Sequence, residues 1–343
     1  MSGDFVDELV TPGVAGLPER FFDRFVFNLH PTDSRDLCVL VGVGLYPPVD
    51  TVDGFAIAVT DSEQRNLRFS TALSATDGGS ATAFSWRVVE PMTTWRLALE
   101  PNPTGLEFDV TWTARTPAWF GDVAVRNAGS GSGGTTTSFE HLFQSGRYAG
   151  WLALDGVKRD VTGWYGQRDR SRGVRTMAGG QGLHLWVQAQ FPDRSIGLLY
   201  VEDREHAPLL LEGAVMPVGG PGDPVDPVVA LRHDLSFDDG LDLRGGVLEF
   251  DTASGRRYHL DVDASGRGGY LAGGGYGGHH GRPAGLDRVE SDVYPLDGSV
   301  TPASLDSALT DRLAAFGWGD VPGLGIFEFA HTRSRSYRYA PAR

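Results

Sequence analysis

The feature that most constrains this chain is a succession of short runs in which apolar and polar residues alternate. The runs recur at roughly ten-residue spacing, each closed by glycine, proline, asparagine or aspartate. Strand side chains point to opposite faces in turn, so a run of this kind buries one face of a sheet. Phe21 to His30 is the first; Leu37–Leu45, Gly54–Thr60, Leu67–Leu73, Ala83–Val89, Thr94–Leu99 and Leu106–Ala114 follow. The consecutive prolines of Tyr46-Pro47-Pro48-Val49-Asp50 lack ladder donors and mark a turn, and Asp155-Gly156 marks a hairpin. Ser195–Val201, Pro208–Val215, Val228–Phe237, Gly246–Asp251 and Arg257–Val262 repeat the pattern beyond the midpoint. With 47 glycines and 20 prolines spread along 343 residues, an all-β barrel or sandwich with many turns is expected.

One stretch reads as a helix. In Thr301 to Ala314, Thr301 is an N-cap, Pro302 suits the first helical position, and Leu305, Leu309 and Leu313 recur every fourth residue. The low-complexity run at 127–138 is expected as a surface loop. Two β-rich halves flank the midpoint, an N-terminal domain over 1–162 and a C-terminal domain over 163–343.

Charge and cysteine usage exclude several functions. A net charge of -14 disfavours nucleic acid, whose binding needs Lys and Arg to neutralise phosphates. No polybasic segment or long apolar run predicts membrane insertion, and Met1 to Thr11 has no apolar signal region, so a cytoplasmic protein is expected. The one cysteine, Cys38, lies in an apolar run and reads as a buried, inert thiol. No Walker loop, dinucleotide fingerprint or hydrolase elbow is present, and adjacent His279-His280 lack a third ligand, so neither an organic cofactor nor a metal is expected.

The chemistry concentrates at the midpoint. Residues 163–175 hold four arginines, one aspartate, the pair Trp164-Tyr165 and three glycines. The strand-like Leu183 to Phe191 follows, with His184 and Gln190 on one parity. A carboxylate between arginines and beside aromatics is costly to bury, so Asp169 is either part of an ion-pair knot or a working group. If Arg168 and Arg170 point away, as sequence neighbours on a strand do, Asp169 faces the interior without them and an apolar setting raises its pKa. Residue chemistry leaves both readings open.

Trp164-x-Gly166-x-Arg168-Asp169-x-Ser171-x-Gly173-x-Arg175, followed by Leu183-His184-Leu185-Trp186, resembles a motif of the lipocalin-like superfamily of hydroxyneurosporene synthase (carotenoid 1,2-hydratase), its bacterial relatives and fungal Diels–Alderases. Tyr46-Pro47, Asp53-Gly54-Phe55, Glu90-Pro91, Gln144-Ser145-Gly146-Arg147 and Gly323-x-Gly325-x-x-Glu328 extend the likeness over about residues 15 to 335. The resemblance implies two tandem lipocalin-like β-barrels, here with one short C-terminal helix, and a ligand cavity where they meet. It implies that Asp169 protonates an alkene of an isoprenoid, terpenoid or steroid-like substrate, giving hydration, dehydration, isomerisation or cyclisation without a cofactor. Trp164, Tyr165, His184, Trp186 and Gln190 would shape the cavity, and Arg168 or Arg175 would orient Asp169 or a substrate oxygen. A hydrophobic-ligand carrier and a pericyclase are the alternatives. Relatives commonly carry Trp where this chain has Arg172, and a cation there disfavours a nearby carbocation unless it points elsewhere.

Overall fold

The computed structural model describes residues 7–126, 136–174, 181–334 and 337–338. The first half supplies β1 (Phe21–Leu29), β2 (Cys38–Tyr46), β3 (Thr51–Val59), β4 (Glu63–Ala72), β5 (Ser80–Ala81), β6 (Phe84–Glu90), β7 (Thr94–Leu99), β8 (Leu106–Ala114), β9 (Trp119–Arg126), β10 (Thr136–Leu154), β11 (Val157–Asp160) and β12 (Tyr165–Val174). The second half supplies β13 (Gln181–Gln190), β14 (Arg194–Asp203), β15 (Pro208–Pro217), β16 (Asp226–Phe237), β17 (Leu243–Thr252), β18 (Arg257–Asp263), β19 (Arg288–Pro295), β20 (Thr310–Trp318) and β21 (Val321–His331).

These strands form two bodies. β13 to β18 with β20 and β21 close into an eight-stranded barrel. The remainder form a 13-stranded sheet, curled into a half-barrel, in the order β19-β4-β3-β2-β1-β12-β10-β8-β7-β6-β5, with β9 and β11 paired to β10. The expected tandem β architecture is therefore what the chain adopts. The proposed division at 162/163 concerns folding units, which strand pairing does not decide. Pairing itself joins β12 to β1 and β10, and carries β19 back across to β4 of the first sheet. Of the expected loop at 127–138, residues 127–135 lie outside the described residues and Thr136 to Ser138 open β10.

The expected C-terminal helix does not form. Residues 301–309 make turns, in which Ser304 Oγ donates to the Thr301 carbonyl and accepts from its N–H, and Thr310 begins β20. Among the described residues, helical structure is limited to short 3-10 turns. The leucines mislead because a spacing of four fits both a helical turn and two strand pleats. β20 is claimed by pairing with β18 and β21, which closes the barrel. No helix of the described residues is long and apolar enough to cross a membrane.

Alternation explains the outer strands: in β8, Leu106, Phe108, Val110 and Trp112 are buried while Glu107, Asp109 and Thr111 are more open. Other strands are buried on both faces. In β2 every residue but the last is buried, and β13 and β14 are nearly so. One face of each lines its own core, built around Phe25, Phe27, Trp95 and Trp112 in the first sheet and Leu185, Phe250, Phe316 and Phe327 in the barrel. The other face enters a third apolar cluster, in which Phe22, Leu40, Phe55, Phe139 and Phe143 of the sheet meet Trp186, Leu199 and Ile326 of the barrel. This cluster is the seam between the two bodies. The glycine-rich segment at 266–285 packs along it through Leu271 and Tyr276. Gly269 turns there at φ +67, and a Cβ on it would collide with the Asp311 carbonyl oxygen, so the segment's contact with β20 requires glycine.

Candidate active site

Strand parity sorts the midpoint motif between two environments. On β12, Arg168, Arg170 and Arg172 point away from the seam, while Tyr165, Gln167 and Asp169 point toward it. Arg168 donates to Asp7 at 2.6 Å and to Gln144 at 2.9 Å, and lies over the rings of Trp95 and Trp112. Arg170 grips Asp23 with two bonds of 3.1 and 2.9 Å and donates to the Glu8 carbonyl at 2.8 Å. These pairs bind the segment 7–10 into the first sheet. Their partners are Asp7, Gln144 and Asp23 rather than Asp169, so Arg168 does not orient that carboxylate as expected, and the ion-pair knot lies off the seam. Arg172 pairs with Glu140 at 3.1 Å on the same side, directed away from Asp169. Arg175 lies outside the described residues.

At the seam Asp169 is not isolated. His141, from β10, donates Nε2–H to Asp169 Oδ2 at 2.5 Å and Nδ1–H to Glu212 on β15 of the barrel. One imidazole thus bridges a carboxylate on each body. Burial alone would push His141 down, but Asp169 and Glu212 outweigh it and raise its pKa to about 9. The ring packs edge-on against Phe143, with centroids 4.5 Å apart.

Raising the pKa of His141 has a consequence for stability. A group raised from 6.5 to about 9 contributes its full stabilisation below pH 6.5 and loses it as pH rises through 9. The unfolding free energy should therefore fall over this window, by on the order of 3 kcal/mol. Urea titrations across the window check this: His141→Gln should remove the slope, and an unchanged slope in the variant would contradict the assignment.

Two further groups face the same seam. Arg24, on β1, donates to His280 Nε2 at 3.0 Å, and His280 Nδ1–H donates to Asp53 at 3.2 Å. Burial, then Arg24, lowers the His280 pKa to about 4, so this ring is a neutral relay and its bonds are to protein groups. Burial opposes charge on Arg24, but Tyr276, Tyr46, Asp53 and Asp169 outweigh it and hold the guanidinium cationic. On the barrel side, Glu328 of β21 accepts from His184 at 2.8 Å, and Asp311 of β20 is its cross-strand neighbour.

The other expected site residues divide. Trp186 lies in the seam cluster, its ring 6.4 Å from Phe143. Gln190 donates to the Gly166 carbonyl at 3.3 Å across the seam, and Tyr165 sits under Arg115 and Arg147. Trp164 instead packs against the core of the first sheet. At the junction, aromatic and aliphatic side chains pack together. A cleft of about 470 Å³ lies elsewhere, on the first sheet, lined by residues including Arg96, Asp109 and Trp151. Cys38 is buried and its thiol pKa is pushed up by that burial, as an inert thiol requires.

Sequence reasoning missed His141, Glu212, Arg24 and Asp311. Each of three carries a recognisable signal: a titratable residue set within an apolar row of one parity. His141 stands between Phe139 and Phe143, Arg24 between Phe22 and Val26, and Asp311 between Leu309 and Leu313.

No group of described His, Cys, Asp or Glu residues is arranged to hold a metal ion. The donors present are carboxylates, an imidazolium and a guanidinium, which fit proton transfer and the binding of an oxygen function.

No curated protein matches the chain. Among solved structures, a Nitrosomonas europaea protein assigned provisionally as AttH superposes with a TM-score of 0.59 at 10% identity, covering 94% of this chain and 99% of its own, so the two share a fold. CghA bound to Sch210972 matches at a TM-score of 0.48 and 13% identity over 96% of both chains. Kievitone hydratase from Nectria haematococca matches at 0.45 and 12% identity, over 96% of this chain and 95% of its own. At those scores neither bears on the reading of the site. The model of a family of unknown function, DUF8625, matches residues 13–337, and the chain belongs to that family.

Proposed function

We propose that the seam is the site of a cofactor-independent proton-transfer enzyme, a hydratase or dehydratase, isomerase or cyclase, acting on a small molecule with a large apolar body of isoprenoid, terpenoid or steroid type. The observation that carries this reading is the Asp169 carboxylate, fixed at 2.5 Å by His141 within an aromatic and aliphatic seam. A carboxylate held in place by a hydrogen bond inside an apolar seam is positioned to exchange a proton with a bound substrate. Arg24 supplies a cation for a substrate oxygen, and its Nε is buried without a partner. The Trp186 indole N–H and both amide atoms of Gln188 are likewise buried without partners, as groups that meet a ligand or water would be.

The test is incubation of the purified protein, in deuterated buffer, with a small-molecule extract of cells that carry the gene. Mass spectrometry should find a compound that gains deuterium or the elements of water with the protein and not with Asp169→Asn. A protein that leaves every compound unchanged while retaining one of them tightly is a carrier, and the catalytic reading falls.

A further inference from the structure

Asp311 is a buried carboxyl on the barrel side of the seam, with only 6% of its surface exposed. It projects from β20 on the parity of Leu309 and Leu313, both packed on the seam cluster. Register places it directly opposite Glu328, which also accepts a hydrogen bond from His184. Its Oδ1 is buried without a hydrogen-bond partner. Asp169, on β12, and Cys38, on β2, are near enough across the seam to interact electrostatically with it.

We propose that Asp311, paired with Glu328 and facing Asp169 across the seam, is the proton donor of this site. This rests on the seam being catalytic, and it divides the labour between two carboxyl groups that the sequence motif assigned to one. Asp169 already accepts a hydrogen bond from a histidine held cationic, so its oxygen is occupied as an acceptor. Asp311 has the opposite setting. Burial first, then the negative charge of Glu328, and more weakly that of Asp169, favour its neutral acid form. An uncharged carboxyl facing a second carboxyl group across the seam offers a proton donor and a proton acceptor in one site.

For addition of water to an alkene, the Asp311 O–H bond breaks and a C–H bond forms, leaving the Asp311 carboxylate and a carbocation. Water adds to the cation and its surplus proton passes to Asp169. A proton then returns from Asp169 to Asp311 through solvent, and no oxidant or reductant is consumed. Dehydration is the same sequence reversed.

The protonation claim is tested without a substrate. Infrared spectra of the protein at pH 7 in D2O should show the carbonyl band of a buried carboxylic acid. Labelling with [4-13C]aspartate should shift that band, Asp311→Asn should abolish it, and Asp169→Asn should leave it. No such band, or a band that the aspartate label does not move, overturns the proposal; in the second case the proton sits on Glu328. With a substrate from the extract experiment, Asp311→Asn should lower turnover at least about 100-fold. If Asp169→Asn is inactive while Asp311→Asn is not, the donor assignment fails and the seam remains catalytic. If both variants keep full turnover, the seam reading itself fails.

Discussion

Replacing Arg170 by methionine is expected to lower the unfolding free energy by about 3–5 kcal/mol, among the largest effects of any single change in this chain. Arg170 and Asp23 side chains are 1% and 0% exposed, and the guanidinium meets both carboxylate oxygens. Methionine keeps much of the apolar stem but leaves the Asp23 carboxylate in the core with, among the described residues, only the Val10 N–H as a remaining donor to it. The cost lies in that stranded charge, since an intact buried pair is close to neutral against an apolar replacement. The double variant Asp23→Asn/Arg170→Met should therefore recover part of the loss. Urea unfolding of the three proteins checks both statements. A single-variant loss under about 1 kcal/mol would show that the pair is solvated, as surface pairs are.

The same pair shows what the sequence could and could not convey. Alternation along Arg168-Asp169-Arg170 was enough to place the arginines and the aspartate on opposite faces once the run was read as a strand. The cost of burying such a cluster was equally legible, and it is met on the arginine face by Asp7 and Asp23. The identity of those partners was not legible, because they sit far away in the chain and nothing local encodes which strands pair. Treating sequence neighbours as site neighbours also misplaced Trp164 and Arg168: a strand sends adjacent side chains to opposite sides. The run of β strands was readable from periodicity and turn residues, and the tandem architecture from the family resemblance. The Leu305, Leu309 and Leu313 row was ambiguous on its face, and barrel closure through β20 resolved it toward strand.

Glu212 and Asp311 illustrate a different limit. Each belongs to the barrel, yet each also meets a side chain on the other body: Glu212 bonds to His141, and Asp311 feels the charge of Asp169 after that of its own strand neighbour Glu328. A site built at a seam is written in two distant stretches at once. The midpoint motif marks one side of it, and only the docking of barrel on sheet supplies the other. Arg172 is a case where strand parity removes an objection, since the side chain pairs with Glu140 of the same sheet and turns away from Asp169.

The second large effect concerns Asp169. Asparagine has the same shape and keeps an oxygen that accepts from His141 Nε2, so the seam should remain assembled and the folded fraction should be near that of the parent protein. It cannot take up or release a proton in the working range and carries no charge to balance His141 and Arg24. General acid–base steps contribute about 10²–10⁴-fold to rate, so kcat of Asp169→Asn should fall by that factor. KM should change little, because the apolar contacts that hold the substrate body are untouched. The kcat of folded Asp169→Asn, on the compound that the protein transforms, is the most direct measurement of the account. A fall of about 100-fold or more with KM preserved is the predicted result, and turnover at the parent rate would contradict the claim that the seam carboxylates carry the proton.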